Sequence, residues 1–175
     1  MNPIKINFVK DFYPIAKKAS DQLMSQKGKF LAPEVYLTRA IIETMSGQKV
    51  KRNSYFGIKF GAGEKQLFTT TEYHNTKAIR YPKIISIVWD SLKRMYKYTV
   101  QDHFLAYKTP EESFIDFGNF LNRNPRYSSV FATQDSYLQT TRVATSGFAT
   151  APDSLKLSQT IHREVVKIIS DLKLK

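Results

Sequence analysis

Apolar residues recur with helical spacing at both ends of the chain and lose that spacing in the middle. Phe8, Phe12, Ile15, Ala16, Ala19 and Leu23 fall on one face of a helix over roughly residues 7–26, with Pro14 restricting its first turns and Gly28 ending it. Pro33 suits the first turn of a second helix. Val35, Leu37, Ala40, Ile41 and Thr44 give that helix a broad apolar face, and Gly47 ends it. The helical period returns after Pro110, where Glu111 and Glu112 stand in a first turn that favours acids and Phe114, Phe117, Phe120 and Leu121 share a face. Pro125 stops that helix. Residues 137–144 read as a short helix ended near Gly147. Residues 155–172 read as a last amphipathic helix carrying Ile161, Val165, Ile168, Ile169 and Leu172.

Between these helices the pattern changes. Residues 56–60, a Gly61-Ala62-Gly63-Glu64 turn and residues 67–73 read as strand, turn, strand, and the β-branched Thr69-Thr70-Thr71 favours extended chain. Gly57, Gly61 and Gly63 are assigned to the hairpin rather than to a phosphate loop, because no Gly-Lys-Ser/Thr follows them. Residues 76–103 leave two readings. Ile84, Ile85, Val88 and Leu92 match one face of a helix between Pro82 and Arg94, while the β-branched content of 84–88 suits a strand. The helix is preferred, followed by extended chain over 95–100. The expected fold is therefore α+β, mostly helical with one small β lobe, in a single domain spanning residues 1–175.

Composition narrows the function classes. At 175 residues, with 42% hydrophobic content and 12 Phe, 10 Tyr and 1 Trp, the chain supports a sizeable core. The absence of cysteine excludes disulfides, thiolate nucleophiles and Cys-based zinc sites. The net charge of +12 implies an anionic partner or simply a basic surface. Its lysines are dispersed and no nucleic-acid motif is present, and anionic envelope polymers fit equally well as partners. No run approaches the ~18 apolar residues of a membrane span. Residues 1–11 carry Lys5, Lys10 and Asp11 without an apolar core and do not read as a signal peptide.

Candidate chemistry centres on Ala40-Ile41-Ile42-Glu43-Thr44-Met45-Ser46-Gly47, which places a carboxylate near the end of an apolar helix. A helix-end glutamate is usually just solvated. At the edge of a core, however, desolvation would raise its pKa toward the range of a general acid. His74, His103 and His162 have no metal-ligand spacing, so no metal and no cofactor is assigned. Ser46 and Ser113 have no partner base at a recognisable elbow.

The order of these features resembles the glycoside hydrolase family 73 β-N-acetylglucosaminidases, a family that includes bacterial autolysins, the peptidoglycan-cutting domain of the flagellar rod protein and phage lysins. The resemblance runs nearly end to end. It rests on the first helix from Phe8 to Ala19, Ala40-Ile41-Ile42-Glu43-Thr44 with Gly47, Asn53-Ser54-Tyr55-Phe56-Gly57-Ile58-Lys59 and Thr71-Glu72-Tyr73. Further matches are Phe104-Leu105-Ala106-Tyr107 with Ser113, Arg126-Tyr127 and Gly147-Phe148-Ala149-Thr150-Ala151-Pro152. Each is weak alone; together, in family order, they are specific. Two departures stand out. Leu105 occupies a position where arginine is common, and the stretch from Glu72 to Phe104 is longer than usual.

The resemblance implies a lysozyme-like fold with a substrate groove between the helical body and the β lobe. It also implies a peptidoglycan hydrolase acting at the bacterial cell wall as a monomer, cutting the β-1,4 bond after N-acetylglucosamine. Glu43 would be the general acid. Glu72 would be a base that activates water, carried on the β lobe, and Tyr127 an active-site phenol. Asn53, Tyr55 and Phe56 become candidate sugar contacts, although a turn cap and core packing explain them as simply. Carboxyls roughly 6.5–9.5 Å apart suit inversion through a bound water, whereas a wider gap suits attack by the substrate's 2-acetamido group. The enzymatic alternatives are a lysozyme-like muramidase and a lytic transglycosylase; the alternatives from other classes are an inactive glycan-binding module and, more distantly, a basic nucleic-acid-binding helical protein.

Overall fold

Helix α1 (Pro3–Lys27) begins earlier than the apolar period suggests, because Pro3 takes a first-turn position and Asn2 caps it, its Oδ1 accepting from the Ile4 amide at 2.9 Å. Pro14 consequently lies in mid-helix on an exposed position, not in the first turns. Gly28, at φ 62°, closes the helix by donating to the Met24 carbonyl. This is a computed structural model, and it describes residues 2–148 and 153–175. Positions 149–152, which include the end of the Gly147–Pro152 motif, lie outside the described residues.

Helix α2 (Pro33–Thr44) is the hub of the helical body and packs against α1, α4 (Ser136–Thr145) and α5 (Ser154–Asp171). Val35, Tyr36, Leu37 and Ala40 are fully buried. The helix stops at Thr44, ahead of Gly47, and the chain turns away through Met45, Ser46 and Gly47, all at positive φ. Thr44 stabilises this exit: its hydroxyl donates to the Ala40 carbonyl and accepts from the Gly47 amide. Helix α3 (Pro110–Arg123) starts at a Thr109 cap and packs against α1. A 3-10 helix (Pro125–Ala132), absent from the expectations, connects α3 to α4. Phe8, Phe12, Tyr36, Tyr55, Phe56, Phe114 and Phe117 form one continuous aromatic cluster through the core.

The middle of the chain departs from expectation in three ways. Residues 56–60 form no strand; the chain from Lys51 to Gly63 is a loop, with Arg52, Asn53 and Gly57 at positive φ. The glycines at 61 and 63 therefore do not turn a hairpin. Residues 84–90 are not helical but lie in strand β2 (Lys83–Asp90). The lobe has three strands, ordered β1 (Glu64–His74), β3 (Met95–Ala106), β2, all antiparallel. Strand β2 is an edge strand with apolar residues exposed along it, so its sequence lacks the alternation that marks a half-buried strand. The chain after Glu72 thus supplies an edge strand rather than a helical roof.

Candidate active site

Glu43 occupies the last turn of α2, where the helix reaches the loop 45–63. One turn earlier on the same face stands Arg39, whose side chain is wholly buried and whose Nη2 pairs with Glu43 Oε1. Arg39 is itself fixed from two other sides. Its Nη1 donates to Ser158 Oγ of α5 at 3.2 Å, and its guanidinium lies 4.7 Å from the centre of the Phe148 ring. With Oε1 engaged, Glu43 Oε2 is turned toward Gly57: a Cβ on that glycine would lie 3.9 Å from Oε2 and 3.9 Å from Phe104 of β3. Gly57 therefore floors a gap between the helical body and the sheet.

Register places Glu72 on the wall of that gap. Glu72 pairs with Tyr98, Thr70 with Val100 and Gln66 with Phe104, and paired residues share a face. Glu72 therefore lies on the same sheet face as Phe104, the residue next to Gly57. Burial raises the Glu43 carboxyl above its ordinary range, Arg39 opposes the rise, and the negative charge of Glu72 adds to it. Although ringed by protein, the Glu43 side chain keeps 29% of its surface open to solvent, as befits a group at the floor of a cleft. The arrangement holds one carboxyl protonated more readily than usual and a second carboxylate across the gap from it.

Tyr127 lies on the 3-10 helix, its ring packed among Phe120 and Phe148. Burial raises the phenol's pKa, while Arg126, which also hydrogen-bonds it, and Arg39 pull it back. The Arg39 charge is thus felt at Glu43 and at Tyr127, which joins the three residues in one electrostatic group.

The other predicted contacts serve the frame. Asn53, at φ 56°, donates both amide hydrogens' worth of bonding to backbone, reaching the Tyr107 and Lys108 carbonyls at 3.1 and 2.9 Å. It latches the loop to the start of α3. Tyr55 packs against Phe12 and Phe114, and its amide donates to the buried Ser113 hydroxyl at 3.2 Å. Phe56 stacks on Phe117 at 4.2 Å. Tyr55 and Phe56 are 5% and 2% exposed, so core packing takes up both rings and leaves no platform for a sugar. Leu105 is buried in the core, and its amide donates to the Ile58 carbonyl at 2.7 Å.

Several groups at the gap were not anticipated. Arg39 is the foremost; its i, i+4 spacing to Glu43 was the available signal. On the sheet side, Lys59 pairs with Asp102 at 2.6 Å and lies 5.2 Å from the Phe104 ring. Tyr81, in the β1–β2 connection, hydrogen-bonds His74 at 2.6 Å. Its hydroxyl is pushed up to about 12, first by burial and then by Glu72 and Asp102, which keeps it neutral beside Glu72. His103 stands apart on β3. His162 is buried in α5 with Ser136 as its partner, and burial lowers its pKa.

Against known families, residues 18–174 match the glucosaminidase model, described as mannosyl-glycoprotein endo-beta-N-acetylglucosaminidase. Among curated proteins, the peptidoglycan hydrolase FlgJ of Vibrio parahaemolyticus is 28% identical over 156 residues, 83% of this chain. The chain spans only 42% of that relative's length. A peptidoglycan hydrolase mutant from Sphingomonas sp. A1 superposes with a TM-score of 0.70 at 20% identity, covering 95% of this chain and 99% of its own. The glycoside hydrolase domain of Salmonella typhimurium FlgJ gives 0.64 at 18% identity, covering 99% and 94%. These two likenesses are of fold, and they extend over the β lobe as well as the helices.

Proposed function

The chain belongs to the glucosaminidase family of glycoside hydrolases, and from that premise we propose that it hydrolyses peptidoglycan at the β-1,4 bond between N-acetylglucosamine and N-acetylmuramic acid, leaving N-acetylglucosamine at the new reducing end. The observation that carries the reading is the pairing of Glu43, a cleft carboxyl with a raised pKa, with Glu72 on the facing sheet.

In this reading Glu43 is the general acid. Arg39 holds Oε1, so Oε2 carries the proton to the departing glycosidic oxygen as the bond breaks. Glu72 takes a proton from a water that attacks the anomeric carbon from the other face. The neutral phenol of Tyr127 orients the sugar or supports developing charge through a hydrogen bond. The proton lost by Glu43 returns from solvent, since the cleft is open on one side. Relatives whose names describe peptidoglycan hydrolases support the substrate class, and a net charge of +12 suits an anionic wall. The action would then be at the bacterial cell wall.

Mass spectrometry of muropeptides released from purified peptidoglycan tests the bond. Products ending in reducing N-acetylglucosamine are expected. Ends of reducing N-acetylmuramic acid would instead assign a muramidase, and 1,6-anhydro ends a lytic transglycosylase.

A further inference from the structure

Beyond Glu72 the hairpin of β2 and β3 ends in an exposed apolar surface. Leu92, in its turn, is 96% exposed, and Ile85, Val88 and Trp89 are each about half exposed. Large apolar groups left open so close together mark an interaction surface. Cations surround them. From 76 to 98 the chain carries Lys77, Arg80, Lys83, Lys93, Arg94 and Lys97 against a single acid, Asp90. That acid is occupied within the turn, its Oδ1 accepting from the Lys93 amide at 3.0 Å.

The register shows how these groups are arranged. Val88 lies opposite Lys97 and Trp89 opposite Tyr96, and consecutive strand residues point to opposite faces. The exposed apolar groups therefore occupy both faces of the hairpin as well as its tip. A folded partner would cover one face and leave the other wet. A fluid interface that admits a wedge covers both. A soluble polyanion would satisfy the cations but leave the apolar groups in water.

We propose that this hairpin docks on an anionic lipid surface, with Trp89 and Leu92 entering the boundary between headgroups and acyl chains and Lys83, Lys93 and Arg94 meeting the lipid phosphates. Tryptophan favours that boundary, and basic residues near an anionic leaflet add attraction one by one. The contact is peripheral: among the described residues no helix is long and apolar enough to cross a membrane. By the register Trp89 shares its sheet face with Glu72, so the docked edge borders the cleft, but the proposal rests on the exposed tip and its cations and not on the glycosidase reading.

Trp89 is the sole tryptophan of the chain, so its emission reports directly on the tip. The 175-residue protein is titrated with vesicles of phosphatidylcholine alone and of phosphatidylcholine mixed with phosphatidylglycerol, with sedimentation measured in parallel. Anionic vesicles should shift the emission to the blue and carry the protein down, and neutral vesicles should bind far less. Leu92→Ser, at a fully exposed site, should keep the melting temperature and weaken partitioning about tenfold. Unchanged Trp89 emission at saturating anionic lipid, or equal partitioning of the Leu92→Ser protein, would overturn the proposal in favour of a polyanion-binding surface. A blue shift that appears without lipid and grows with protein concentration would overturn it in favour of a second copy pairing along β2.

Discussion

The helical body and the β lobe hold the two carboxylates of the cleft under different mechanical conditions. Glu43 is built into α2, which three other helices surround, and its partner Arg39 is clamped by Ser158 and Phe148. Glu72 rides on a three-stranded sheet in which, among the described residues, no strand packs extensively against a helix. The lobe is tied to the body through backbone links such as Leu105 to Ile58 and Tyr107 to Arg52, and through the Lys59–Asp102 pair. Burial and local contact density set local stability. The comparison therefore assigns a rigid position to the proposed proton donor, Glu43, and an adjustable one to the proposed water-activating group, Glu72, with closure on substrate as the expected motion.

The largest effect should come from the rigid side. Glu43→Gln keeps shape and hydrogen bonding but removes the proton. It should lower muropeptide release about 10²–10⁴-fold with an unchanged melting temperature. Normal turnover would remove Glu43 from the mechanism. On the lobe side, Glu72→Gln should also cost activity, and added azide, which needs no base, should restore part of it as a glycosyl azide of inverted configuration. Wild-type rates in that variant would point to the substrate acetamido group instead.

A subtler effect concerns Arg39. Its charge pulls the Glu43 pKa down against the burial that raises it, and Glu72 pushes it up from the lobe. Arg39→Met removes the downward pull, so Glu43 stays protonated to higher pH. Activity that needs the protonated form falls as pH rises through that pKa, so the alkaline limb of kcat/KM should move up. A limb that stays in place would assign it to another group. The same sign governs stability. The proton on Glu43 favours the folded chain below the unfolded-state pKa, and that contribution fades as pH climbs through the raised folded value.

The smallest expected signal is in hydrogen exchange. Amides in 60–75 should exchange faster than those in 35–45 and slow when a chitin or peptidoglycan oligomer binds. Equal protection of both segments in the free protein would contradict the division between body and lobe.

The same division governs what could be read from the sequence. Helices with one buried face, such as α3 and α5, declare themselves by periodicity. Strand β2 does not, because an edge strand exposed on both sides follows no burial rule. Residues 56–60 read as strand because Phe56 and Ile58 are apolar, yet these two enter the core from a loop shaped by positive φ at Asn53 and Gly57. Glu43 was legible from its motif and from the apolar helix that carries it. Arg39 was not, since a charge within an apolar run reads as surface until its partners Ser158 and Phe148, distant in sequence, arrive. Asn53 shows the converse: its polar side chain suggested a ligand, and its use is a latch to carbonyls 54 and 55 residues away.

The claim that an acid on the body works with a base on the lobe is tested most directly by the anomeric configuration of the first product. Proton NMR during early hydrolysis of a soluble glycan should show the new reducing N-acetylglucosamine released as the α-anomer, the outcome of a single attack by water activated at Glu72. Initial release of the β-anomer would contradict the account, because retention requires a nucleophile from the protein or from the substrate's own acetamido group.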